Sequence, residues 1–214
     1  KYGKVGFTGN GSYFYHDMPT SYSRTTREEF SPNPVNSLTQ ESESIMNGGG
    51  LFYNAMLSYE PDTLNLFNIN IGHFGGEFSS ENDLHAQSVG ARNFKYLSQS
   101  STTNEMGSFN ISTDYQRNFK KKGEMLTASY RFERNPNDGE YETLYDDVEG
   151  NDFWYANGYR MRSINDASGI EHTGQIDYVN PIGERHNIEV GVKYIFRDNQ
   201  SRADNRYLDT GTDT

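Results

Sequence analysis

The sequence predicts an all-β fold: an up-and-down antiparallel transmembrane β-barrel, present as a partial barrel of about seven long strands. Three observations predict it. Apolar residues recur at every second position over long stretches, the period of a strand with one apolar face. Turn-like segments centred on Asp62, Lys122 and Gly183 recur roughly 60 residues apart. Aromatic residues make up 14% of the 214 residues, yet mean hydropathy is −0.91. A soluble core of ordinary composition fits that pair of values poorly. A sheet that is apolar on its lipid side alone, with a polar lumen and hydrophilic loops, fits both.

The first strand is expected at about 4–15. A second, over about 48–59, puts Leu51, Tyr53, Ala55, Leu57 and Tyr59 on one face. The turn Glu60-Pro61-Asp62 follows, with Pro and Asp where turn chemistry favours them. A third strand spans about 63–77, and its apolar phase slips between Leu66 and Phe67, a candidate bulge. The fourth, 106–117, alternates Phe109, Ile111, Thr113 and Tyr115 with polar residues. After Lys120-Lys121-Lys122-Gly123, the fifth (124–134) alternates Leu126, Ala128, Tyr130 and Phe132 in the same way. The sixth (172–180) and seventh (186–197) flank the turn Pro181–Arg185, and the seventh carries Ile188, Val190, Val192, Tyr194 and Phe196. These segments of about 9–12 residues exceed the usual soluble strand of about 5–6.

The other strand ends are joined by long polar segments at 17–45, 79–105 and 135–170, read as loops. Short turns on one rim and long loops on the other, joined by strands of about 9–11 residues, describe a bacterial outer-membrane barrel. Tyr59, Tyr115 and Tyr178 each close a strand entering a short turn. They read either as an interfacial aromatic girdle or as ordinary β-propensity.

Two phrases carry a resemblance: Asp177-Tyr178-Val179-Asn180-Pro181-Ile182-Gly183 with Asn187 to Tyr194 and Arg197-Asp198-Asn199, and Asp114 to Gly123 with Leu126 to Tyr130. They resemble the outer-membrane β-barrel family of Bacteroidetes, similar to the barrel portion of TonB-dependent receptors, over most of residues 48–200. The resemblance implies an outer-membrane location, a barrel of many more strands, nutrient binding and uptake, and a plug that contacts a periplasmic energy-coupling protein. Residues 1–214 are expected to be one segment of such a barrel domain, with plug and closing strands outside it.

Composition excludes other classes. The net charge of −11 argues against nucleic acid. No Cys is present, so neither a disulfide scaffold nor a thiolate metal site is built here. Nucleophile elbows, zincin helices, phosphate loops and dinucleotide fingerprints are missing. The histidines (His16, His73, His85, His172 and His186) are scattered, so no enzyme, metal site or cofactor is expected. Gly48-Gly49-Gly50 reads as a flexible joint before a strand. The segment 135–152 is acidic and free of Lys and Arg. Its Asp138, Glu140, Tyr141, Tyr145, Asp146 and Asp147, with Trp154 beyond, form a candidate ligand-facing loop: carboxylates for a cation or cationic ligand, rings for a sugar or peptide. A solvated loop is the plainer alternative. The rival fold is a soluble surface β-sandwich binding carbohydrate or protein, in which the apolar face must meet a second sheet.

Overall fold

The computed structural model describes residues 3–30, 36–183 and 186–208. Every element in it is a strand: β1 (Val5–Asp17), β2 (Ser21–Glu29), β3 (Asn36–Tyr59), β4 (Asn65–Val89), β5 (Phe94–Asn118), β6 (Met125–Glu149), β7 (Tyr159–Ile182) and β8 (His186–Leu208). They form one antiparallel sheet in the order β1-β3-β4-β5-β6-β7-β8, with β2 also paired to β3. The sheet is open, and among the described residues no second layer covers either face.

β1 and β2 are one stave in two pieces. β1 pairs with residues 47–59 of β3 and β2 with residues 36–44. Between them Met18, Pro19 and Thr20 stand opposite Ile45 and Met46, one residue more than their partners. Pro19 cannot donate to a ladder, so it is tolerated at a bulge on an edge strand. Met18 N still donates to Met46 O at 3.0 Å. The sheet therefore has seven staves in eight strands.

The expected long loops are the main correction. Apart from residues 31–35, which lie outside the described residues, 17–45, 79–105 and 135–170 are mostly strand. β3 to β8 each run 23–25 residues, about 80 Å of extended chain. Their far connections are brief: 90–93 between β4 and β5, and 150–158 between β6 and β7. Polar composition suggested loops, but a strand wetted on one or both faces needs no apolar alternation to keep its ladder.

The near turns match their expected chemistry. Asp62 Oδ1 accepts from Leu64 N and Asn65 N, both at 2.8 Å. Those bonds to the carboxylate hold Asp62 below its ordinary pKa. Gly123 adopts φ +82°, where a side chain is strained, and closes the Lys120–Lys122 turn. In the third turn Glu184 and Arg185 lie outside the described residues. No bulge occurs at Leu66–Phe67: β4 starts at Asn65 and keeps register with β3 and β5 throughout, so Leu66 simply faces the other side. The second register shift lies at Lys95/Leu97, opposite Asp147, whose φ is +49°.

Gly48, Gly49 and Gly50 lie inside β3 instead of before a strand. A Cβ on Gly49 would stand 2.7 Å from Phe14 O, and one on Gly48 2.8 Å from Glu77 O. Gly75 and Gly76 of β4 and Gly107 of β5 lie at the same height. At that level in β6, Pro136 interrupts the β5 ladder between Met106–Asn137 and Phe109–Arg134. A seam of glycine and proline thus crosses the sheet near mid-height, where curvature meets least side-chain obstruction.

Candidate ligand-binding wall

Cross-strand partners project to the same face, so the registers assign every side chain. Below the seam, toward the short turns, one face is mainly apolar, with Arg134 and Asp198 in the row next to the seam and Arg117 in the row next to the turns. Phe7, Leu57, Ile69, Thr113, Tyr130, Gly174 and Tyr194 form one row, and Val5, Tyr59, Phe67, Tyr115, Ala128, Ile176 and Val192 the next. Val192 is 72% exposed and Ile176 57%, with nothing covering them. The belt runs about 9–11 residues along each strand, the length that crosses a bilayer.

Tyr59 and Tyr115 share a row, stacked through Phe67 (centroids 6.4 and 4.7 Å apart). Tyr178 is in the adjacent row. Tyr115 Oη donates to Asn65 Oδ1 at 2.7 Å and Tyr178 Oη to Glu124 Oε1 at 2.6 Å. Both hydroxyls find their partners at the turn ends of the strands.

Above the seam the same face changes character. Glu77, Glu105, Asp138 and Asp166 stand side by side on four adjacent strands. Like charges directly opposite one another repel unless water screens them, so this row marks where the apolar belt ends. Higher up come ion pairs: Glu140 with Arg162 at 2.7 Å, Glu142 with Arg160 at 3.2 Å, Lys95 with Glu149 at 2.8 Å, and Glu41 with Arg24 at 3.2 Å. The Arg162 guanidinium holds Glu140 below its usual carboxylate range.

The opposite face inverts in the other direction. Below the seam it is polar and charged, with Asp114, Arg131, Glu133, Glu171, Asp177 and Lys193. Above the seam it is uncharged from β3 to β8. One row reads Ser44, Asn82, Ser100, Thr143, Met161 and Tyr207, and the next Met46, Ser80, Thr102, Tyr141, Ser163 and Asn205. Its hydroxyls and amides bond along the wall: Ser44 Oγ donates to Asn82 Oδ1 at 2.6 Å, and Ser98 and Thr143 share a bond at 3.3 Å. Ala86, Ser88, Ser98, Thr143 and Asn36 are buried and lie on this face, as do the buried strand glycines Gly48, Gly50 and Gly72, which marks it as the concave side.

Rings close over that small core. The 150–158 connection turns inward, so that Phe153 stacks on Tyr96 at 4.2 Å and Tyr155 lies between Tyr145 (4.7 Å) and Tyr159 (4.5 Å). Tyr207 extends the series from Tyr159 at 6.5 Å. Asp152 Oδ2 fastens the tip by accepting from Asn93 N at 2.8 Å. Burial among these rings pushes the Tyr96 and Tyr145 hydroxyls above their ordinary pKa. Between the two anchors Trp154 is 82% exposed.

The candidate ligand-facing residues are thereby separated. Tyr141 and Tyr145 face the concave wall. Asp138, Glu140 and Asp146 stand on the convex face, Asp147 sits at the bulge, and Trp154 is at the tip. Reading 135–170 as a loop hid this split, because a strand sends neighbours to opposite sides. Phe153 and Tyr155 flank Trp154 in the aromatic run that the sequence placed beside the acidic segment, whereas sequence reasoning missed Tyr96, Tyr159 and Tyr207; the signal was the aromatic parity of 141, 145, 159 and 207, opposite to that of the membrane belt. Among the described residues no group of three His, Asp or Glu side chains could hold a metal ion.

Comparison with known proteins gives one family. Residues 117–214 match the model of the outer membrane protein beta-barrel family, and no curated protein matches. Among solved structures, Pseudomonas aeruginosa OccK10 (OpdN) aligns over 95% of this chain and 96% of its own at 8% identity. Its TM-score of 0.12 is too low to carry an argument. The family match and the sheet agree: the fold is an antiparallel, up-and-down outer-membrane β-barrel fold, and its location is the bacterial outer membrane.

Proposed function

We propose that the chain is one section of a larger barrel, similar to a TonB-dependent receptor of Bacteroidetes, that captures a nutrient ligand at the cell surface for uptake. The observation that carries this reading is the inversion of faces at the seam. Below it the apolar face is turned outward to lipid. Above it roughly 8–13 residues of each strand from β3 to β8 stand clear of the bilayer, with a charged outer surface and an aromatic inner one. A wall of that height holds a ligand outside the membrane before passage. In this reading Tyr59, Tyr115 and Tyr178 are the girdle on the turn rim, energy arrives through a plug and a periplasmic coupling protein, and no residue is catalytic.

Deleting the gene and profiling the solutes left in spent medium tests the reading whatever the ligand's class. The deletion strain is expected to leave one solute class undepleted. A protonophore should reproduce the defect in the parent strain. Identical depletion profiles in the two strains would sink the uptake reading.

A further inference from the structure

We infer that the second short turn, Asn118–Gly123, together with Arg117, is a site for the phosphate of an anionic phospholipid in the leaflet on the short-turn side. The inference rests on the membrane fold and not on the uptake reading above. The first argument is charge. Residues 117–122 hold Arg117, Lys120, Lys121 and Lys122 and no acid, in a chain whose net charge is −11. The first turn is different: it carries Glu60 and Asp62, and Lys4 donates there to Pro61 O. Among the described residues Arg117, Lys120 and Lys122 form no ion pair, whereas Arg24, Arg131, Arg160, Arg162, Arg197 and Arg206 each do.

The second argument is placement. Arg117 shares a row with Leu126, Tyr178 and Val190 on the apolar face, one row beyond Tyr115 and Ile176. Its guanidinium carbon lies 5.5 Å from the centre of the Phe119 ring, and that ring meets Tyr178 edge-on at 6.2 Å. The cation is thus held at the edge of the lipid belt by rings and not by a carboxylate. Its planar fork of N–H donors stays free, and such a fork matches two phosphate oxygens. Lys121 Nζ is spent on the turn itself, donating to Asn180 Oδ1 at 2.7 Å. Lys120 and Lys122 are exposed beside it. Glu124, the first acid after the turn, is engaged by Tyr178 Oη at 2.6 Å.

The occupant follows from those two arguments. A phosphodiester head supplies the missing anion, and its acyl chains cover the adjoining apolar rows, where Ile176 is 57% and Val190 61% exposed. A free anion would leave those residues bare. An acidic protein segment would have to enter hydrocarbon to reach Arg117.

The test titrates the full-length protein in a neutral detergent with phosphatidylglycerol or phosphatidylcholine, and native mass spectrometry reads the affinity of the first bound lipid. Phosphatidylglycerol is expected to bind more tightly. Arg117→Gln, Lys120→Gln and Lys122→Gln should each weaken it by about fivefold, the value of one cation near an anionic surface. Arg117→Lys and Phe119→Leu keep the charge and should also weaken it, because the fork or its platform is lost. Arg160→Gln, on the convex face above the seam, should leave the affinity unchanged. Heat-shifted gel mobility checks that each variant is folded, and the two exposed lysine variants keep the test decisive if Phe119→Leu is not. Equal affinity for the two lipids overturns the proposal, as does a loss in Arg160→Gln as large as in the turn variants. An unchanged affinity in Arg117→Lys would reduce the site to unspecific attraction and also overturns it. Inorganic phosphate that displaces the lipid better than chloride at equal ionic strength would make this a free-anion site, and the lipid assignment falls.

Discussion

The two halves of each long strand share one backbone geometry and oppose each other in chemistry. In β6 the apolar side chains below the seam are even-numbered (Leu126, Ala128, Tyr130 and Phe132), whereas the rings above it are odd-numbered (Tyr141 and Tyr145). β7 repeats the switch from Ile176 and Ile170 to Met161 and Tyr159. The ladder does not change register to achieve this, so the switch is written in side chains alone. What differs is the surroundings. The lower half meets hydrocarbon on its convex side, and the upper half meets water there and keeps its rings for the concave side.

Placing the same charge on the convex face of both halves is the strongest way to break this comparison. Val192→Arg, in the lower half, should destabilise the protein in lipid vesicles by about 2–4 kcal/mol, the value for a cation near the bilayer midplane. Ile164→Arg, on the same face above the acid row, should change stability by less than about 0.5 kcal/mol, as for an ordinary surface site. Urea titration of the two variants measures the difference, and equal effects would remove the membrane boundary from its place at the acid row.

A smaller effect separates the halves from the other side. Phe153→Ala deletes the ring stacked on Tyr96 and should release the 150–158 tip at a local cost of about 2 kcal/mol, leaving the lower half unchanged. Because the sequence contains no Cys, a nitroxide on Trp154→Cys reports tip mobility directly. Unchanged mobility would mean that the stack does not hold the tip. Asp147→Gly tests the bulge: relieving a non-glycine φ of +49° should stabilise the upper half by about 0.5–1 kcal/mol. A loss of stability there would show that the Asp147 side chain matters more than its backbone strain.

The smallest effect is electrostatic. The hydroxyls of Tyr96 and Tyr145 have folded pKa values raised above 10.0, chiefly by burial. A raised value means that the folded state prefers the proton. The contribution is therefore complete below pH 10 and is lost as pH rises through the folded values. Nitroxide mobility at position 154 should increase above pH 10 with the lower half intact. A tip that stays fixed well above that pH would count against burial of these rings.

Half of this architecture was legible in the sequence. Period two in Ile188 to Phe196 and in Leu126 to Phe132 marks the membrane strands because lipid demands an apolar residue at nearly every outward position. The Glu60–Asp62 and Lys120–Gly123 turns were readable from turn chemistry. The upper strands were not. Ser98, Ser100 and Thr102 alternate with Gln99, Ser101 and Thr103, and water on both faces leaves no period to detect. The site was legible only as composition: acids and aromatics appeared as one acidic loop because, without the ladder, nothing says that Glu140 and Tyr141 point apart. The Gly48–Gly50 joint failed for a related reason. Close approach of Phe14 and Glu77 backbone atoms is a long-range fact that no local window contains.

Pairing between sequence neighbours from β3 onward has a kinetic consequence. Every strand from β3 to β8 bonds to the strand just before or just after it, so no closure has to wait for a distant segment. Loop-closure entropy stays small at each step, and slow search through non-local pairings is avoided. Assembly can then run as a zipper, with β3–β4, β5–β6 and β7–β8 forming first across their short turns and each docking on the edge left by its predecessor. The order of synthesis becomes the order of construction, and within the sheet each finished hairpin offers its edge as the template for the hairpin made after it.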